Sequence, residues 1–105
     1  MALTRDFRRT IKERMDRDSV FRAALLTEVV ELMLAGDVAT AKPLLRDFVN
    51  ATIGFAVLAD KTGVPAKSLM RMVGKTGNPR ADNLFAILHV LQEETGVQLE
   101  VKAAA

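Results

Sequence analysis

Ala59 and Gly63, four residues apart in FAVLADKTGVPAKSLMRMVGK (55–75), constrain the fold of this chain more than any other pair. Two short helices that cross at a steep angle need a small residue where they approach most closely. They also need a residue free to take positive φ in the tight turn between them. Leu58, Val64 and Leu69 supply the apolar wedge that fixes the angle. The pattern predicts a helix-turn-helix, with helices over about 55–62 and 65–73.

The rest of the chain reads as helical too. Thr4 is placed to cap a first helix to about residue 16, with Phe7, Ile11 and Met15 on one face and arginines on the other. Asp18 is placed to cap a second helix ending near residue 36. Its stripe of Phe21, Leu25, Val29 and Leu32 is widened by Val30, Met33 and Leu34, so it calls for more than one packing partner. Asp37 is placed to cap a third helix reaching residue 50, although Pro43 is expected to kink it or delay its start to near residue 44. Leu44, Leu45, Phe48 and Val49 recur at helical spacing along it. A last helix spans about 79–95, with Asn78 as its cap, Pro79 at its first position and Gly96 at its end.

After Gly96 the period changes. Val97, Leu99 and Val101 alternate with Gln98, Glu100 and Lys102, as in a strand. A lone strand needs a partner edge, most simply the same strand of a second subunit, which implies a homodimer. An extended arm lying on its own helices accounts for the alternation equally well. The expected architecture is a single all-α domain: N-terminal helices over 1–53, a helix-turn-helix core over 54–96, and a short C-terminal strand or arm over 97–105. No internal repeat, low-complexity run or interdomain linker interrupts it.

Half of the 105 residues are apolar, enough to build a core without disulfide or metal. With no Cys and a single His, thiol nucleophiles and Cys/His zinc sites are excluded. The longest apolar stretch, 20–35, is broken by Arg22, Thr27, Glu28 and Glu31, and charges at Arg5, Asp6, Arg8 and Arg9 stand where a secretion signal needs apolar residues. A cytoplasmic protein with no membrane association is therefore expected. His89 falls on the helix side opposite Leu84, Ile87, Leu88 and Leu91 and has no nucleophile or co-ligand near it in sequence. Glu28 and Glu31 share a face, but no Glu-x-x-His element completes a metal site. Gly74, Gly77 and Asn78 lack the Gly-Lys-Ser/Thr ending of a phosphate-binding loop. The chain thus carries no enzyme signature, and no catalytic residue, metal or cofactor is expected.

Charge is unevenly spread. Residues 1–17 hold six Lys/Arg against three Asp/Glu, and 55–80 hold five against one, whereas 18–54 and 81–105 are net acidic. Two basic patches fit a polyanionic partner, and they fit a pair of solvated helix faces as well. Spacing decides between them. In a helix-turn-helix the second helix enters the major groove, and with Leu69, Met72 and Val73 facing inward, Ala66, Lys67, Ser68, Met70 and Arg71 are left to meet DNA. Arg71 or Lys67 suits guanine, and Ser68 suits base or phosphate. Lys75, Thr76, Asn78 and Arg80 then fall beside the DNA backbone. A packed helical hairpin would also satisfy the Ala-Gly spacing, but its outward face would ordinarily mix charge signs, and this one is basic.

The stretches LRDFVNATIGF, LADKTGVPAKSLMRM, GNPRADNLFAIL and GVQLEV, with the opening ALTRDF and the helix over 21–36, resemble the HigA-like antidote (antitoxin) proteins of bacterial addiction modules. The resemblance covers nearly the whole chain. It implies a lambda-repressor-like fold, repression of the shared operon by a homodimer bound to an inverted-repeat operator in double-stranded DNA, and a cognate toxin of the RelE/ParE superfamily. Lys67, Ser68 and Arg71 match the family pattern, whereas Met70 and Pro43 depart from it. Such families also include solitary, prophage-type repressors without a toxin partner, so a toxin-antitoxin module and a lone regulator both stand as expectations.

Overall fold

Asp18 and Asp37 behave as their spacing predicts. Each accepts a hydrogen bond from the backbone N–H three residues on, Phe21 at 3.0 Å and Thr40 at 3.2 Å, satisfying one of the donors that a helix start leaves open. The computed structural model of the protein describes residues 5–105, the side chains of Arg5 and Arg8 excepted; the Thr4 cap lies outside the described residues. It contains six helices, α1 (Arg5–Arg17), α2 (Ser19–Leu34), α3 (Val38–Ala51), α4 (Gly54–Thr62), α5 (Ala66–Met72) and α6 (Ala81–Thr95).

The α2 helix packs along α3 and against α1, which gives its wide apolar surface the two partners that surface requires. Leu26 and Val29 are fully buried, while Phe21, Leu25, Val30, Leu32 and Met33 pack at the core's edge. Leu34, expected to widen the stripe, points outward instead. The α3 helix begins at Val38, so Pro43 does not delay it. Pro43 leaves the Ala39 carbonyl without its helical donor, but both residues lie on the exposed side, where water replaces the lost bond, and Ala41 and Leu45 are buried on the other.

The α4 helix packs against α3, α5 and α6. Phe48, Leu58, Leu69, Ile87 and Leu91 meet in one core with Met15 of α1 and Leu26 of α2. The radius of gyration is 13.4 Å, close to the ~13 Å of a well-packed chain of this length. Gly63 ends α4 at φ +75°, and its N–H donates to Ala59 O at 2.9 Å, so the small residue and the turn glycine are joined directly. Pro65 sits at the cap of α5 rather than within its first turn.

Two expectations at the C-terminal end need correction. The last helix starts at Ala81, with the extended Arg80 rather than Asn78 as its cap, because residues 77–80 form no helical turn and Gly77 is still packed against the end of α5. The short C-terminal strand is absent among the described residues: 97–105 have no regular structure, and only the start of this arm lies on its own helices. Val97 is buried and Leu99 half-buried, and Leu99 N donates to Gln92 Oε1 at 2.8 Å. Gln92 supplies the partner that a second strand would otherwise provide, and by Val101, 96% exposed, the arm has left the surface. No helix of the described residues is long and apolar enough to cross a membrane.

Candidate nucleic-acid interface

The outward face of α5 is set by what its inner face buries. Leu69 and Val73 are fully or almost fully buried and Met72 is half-buried, as the helical period requires. Lys67, Met70 and Arg71 are then exposed on the other side, while Ala66 and Ser68 are half-buried at its margins. Lys67 and Arg71, one turn apart, stand ~6 Å from each other along the helix axis. Lys75, Thr76 and Asn78 extend this surface from the loop after α5, and all three are exposed. Arg80 is exposed too, but its Nε lies 3.6 Å from Asp82 Oδ1, so its charge is partly met within the chain.

Ion pairing separates the two basic patches that charge counting treats alike. On α1, Arg9 pairs with Asp6, Lys12 with Asp16 and Arg14 with Asp18, at 3.0, 4.0 and 3.6 Å, all three or four residues apart. Arg14 also lies over the Phe21 ring, 4.4 Å from its centroid. The described part of this patch is therefore a largely self-neutralised helix face. Lys67, Arg71 and Lys75 have no carboxylate partner among the described residues. They form an uncompensated basic strip along α5 and the loop that follows it. Met70, 46% exposed, is the single large apolar side chain within it.

Lys42 escapes sequence reasoning. It completes the apolar stripe of α3 between Val38, Leu45 and Val49 and is only 9% exposed. Its Nζ donates to Gly77 O at 2.6 Å and to Lys75 O at 3.4 Å, across more than thirty residues of chain. A lysine on an inward stripe is the sequence signal that was there to be read; its acceptors, two loop carbonyls, have no signature in side-chain pattern. The loop also packs tightly on itself, with Gly74 N donating to Arg71 O and Gly77 N to Gly74 O, both at 3.1 Å.

Elsewhere the surface offers less. A cleft of 230 Å³ is lined by Met15, Asp16, Arg22, Thr52, Ile53, Glu94 and Thr95, none of them a predicted site residue. Arg22 donates to Met15 O at 2.5 Å and its buried Nε has no partner among the described residues, but Asp16 and Glu94 give the cleft mixed charge. His89 is exposed, with Nε2 2.6 Å from Glu93 Oε1, and Glu28 and Glu31 are exposed on α2. Among the described residues no three His, Asp or Glu side chains converge as metal ligands would.

No family model, curated protein or solved structure matches the chain.

Proposed function

We propose that the protein is a sequence-specific DNA-binding transcriptional regulator, a lambda-repressor-like helix-turn-helix protein that reads the major groove with α5. The observation that carries this reading is the uncompensated strip of Lys67, Arg71 and Lys75, in a chain whose described α1 cations are mostly paired on their own helix. The short α4, the positive-φ turn at Gly63 and the buried Leu58 and Leu69 support the same reading, because they leave the outward face of α5 free. In this arrangement Arg71 and Lys67 donate to guanine edges, Met70 meets a thymine methyl, and Ser68 reaches base or phosphate. Lys75, Thr76, Asn78 and Arg80 line the DNA backbone.

The regulator acts as a homodimer on an inverted repeat, with half-sites ~34 Å apart or a multiple of that spacing. The resemblance to HigA-like antidotes adds a second task, neutralising a RelE/ParE-type toxin encoded beside it; a small basic reading frame adjacent to the gene separates that antitoxin from a solitary repressor. The deciding experiment is binding to a labelled duplex from the gene's own upstream region, against a scrambled duplex, at several salt concentrations. Selective binding that weakens linearly on a log–log salt plot supports the reading, and equal weak binding to both duplexes refutes it.

A further inference from the structure

Lys42 brings a charged group into the core edge where an apolar side chain would complete the stripe of α3. Withdrawing an ammonium from water is costly unless other acceptors replace the lost hydration. No carboxylate does so here, and both acceptors belong to one short loop, at Lys75 O and Gly77 O. Among the described residues these are the only hydrogen bonds that tie 74–78 to any element other than α5.

The two carbonyls have a geometric consequence. In a planar trans peptide the C=O and the following N–H point in opposite directions, and no peptide bond of the described chain is cis. Drawing the carbonyls of Lys75 and Gly77 toward Lys42 therefore turns the N–H groups of Thr76 and Asn78 away from it. Neither N–H has an acceptor among the described residues, and the same short loop carries the exposed Lys75 side chain, next to Thr76 in the chain. Two free amides beside a lysine suit one phosphate oxygen group.

We propose that Lys42 is a positioning residue of the DNA interface, holding the loop so that the amides of Thr76 and Asn78, together with the Lys75 ammonium, grip one phosphate of the DNA backbone. The proposal rests on the DNA-binding reading and gives its backbone contact a specific anchor. Lys42 does not touch DNA; it acts through the carbonyls it holds. An apolar side chain of similar length would preserve the packing of α3 and release the loop.

The test combines Lys42→Met, Lys42→Arg and Lys75→Ala with the labelled upstream duplex, read as affinity against salt concentration and alongside thermal unfolding. Lys42→Met is expected to weaken binding about tenfold, the scale of a lost charged hydrogen-bond anchor, and to lower the salt slope by about one. Lys75→Ala should weaken the native protein comparably but add little in the Lys42→Met background, because both act on one phosphate contact. Lys42→Arg, which keeps a cationic donor, should restore most of the affinity. A folded Lys42→Met protein with native affinity and slope overturns the proposal, as do losses that simply multiply in the double variant. Should Lys42→Met fail to fold, the native protein still decides: on titration with duplex the Thr76 and Asn78 amide resonances must shift, and stationary resonances at saturation overturn it. If the native protein itself shows no selective, salt-dependent binding, the DNA reading falls, and the role of Lys42 falls with it.

Discussion

Gly77 lies so close beneath the carbonyl of Arg71 that a Cβ added to it would overlap that oxygen and sit 2.7 Å from the carbonyl oxygen of Met72. Both obstacles are backbone at the end of α5, which cannot swing aside as a side chain tip can. Gly77→Ala is therefore expected to cost ~1–3 kcal/mol, in the range of overpacked sites, and to loosen the loop that carries Lys75 and Thr76. Gly74→Ala, whose Cβ would meet Arg71 O at 3.3 Å, should cost less. Urea denaturation of the two variants checks the order, and a Gly77→Ala protein as stable as the native one contradicts the geometry.

Gly63 tests a different constraint. Nothing lies within 4 Å of a Cβ built there, so space is not what requires glycine; φ of +75° is. Gly63→Ala is expected to destabilise by ~1–2 kcal/mol from backbone strain alone, and Gly63→Asn by less, because Asn tolerates the left-handed region. Equal denaturation midpoints for the Ala and Asn variants would argue that something other than φ sets the cost at this turn.

The contrast between these glycines marks what a sequence discloses. Gly63 announces itself because it follows Ala59 at helical spacing, and its role is local. Gly77 and Lys42 answer to backbone atoms brought together only by the fold, so residue pattern carries no trace of their partners. The same holds at the C-terminus: alternation of Val97, Leu99 and Val101 fits a strand or a chain laid on a surface, and burial that fades along the three identifies the latter. The ion pairs of α1 were legible, by contrast, since Asp6–Arg9, Lys12–Asp16 and Arg14–Asp18 all stand at helix pairing distance in the sequence. Summing charge over a segment hides such pairs, and only individual spacing recovers them. Pro43 misleads for a related reason: whether a mid-helix proline is tolerated depends on which side of the helix meets water, and the buried side is fixed by α2.

Asp18 gives stability a dependence on acid. The Phe21 N–H that its carboxylate accepts, opposed by desolvation and aided by the Arg14 guanidinium, holds its carboxyl below the ordinary value of 3.8. A depressed folded-state value means that the cap contributes fully above that ordinary value and loses its contribution as pH falls through the lower, folded one. Asp18→Asn keeps an oxygen at the cap but removes the titration. The melting temperatures of native and Asp18→Asn proteins should therefore differ most above the ordinary value of 3.8 and converge as pH falls below it. A constant difference across that range would mean that the charge of Asp18 adds nothing to its hydrogen bond.

Arg71 and Lys75 are expected to fail in different ways when removed, because one is carried on a helix and the other on a loop beside it. Arg71 projects from the exposed face of α5, whose inner side is locked by Leu69 and Val73, so its guanidinium can be held in register with a base edge. A bidentate contact to guanine discriminates between bases, and Arg71→Ala should cost ~1–3 kcal/mol on the selective duplex while changing affinity for scrambled DNA much less. In the proposed complex Lys75 meets only phosphate, which every sequence presents alike. Lys75→Ala should weaken both duplexes equally and reduce the salt slope by ~0.9, one phosphate contact. Fluorescence anisotropy with both duplexes at three or more salt concentrations distinguishes the two signatures. If Arg71→Ala weakened selective and scrambled DNA alike, Arg71 would be a second phosphate contact, and base reading on α5 would pass to Lys67 and Met70, the other side chains on its exposed face.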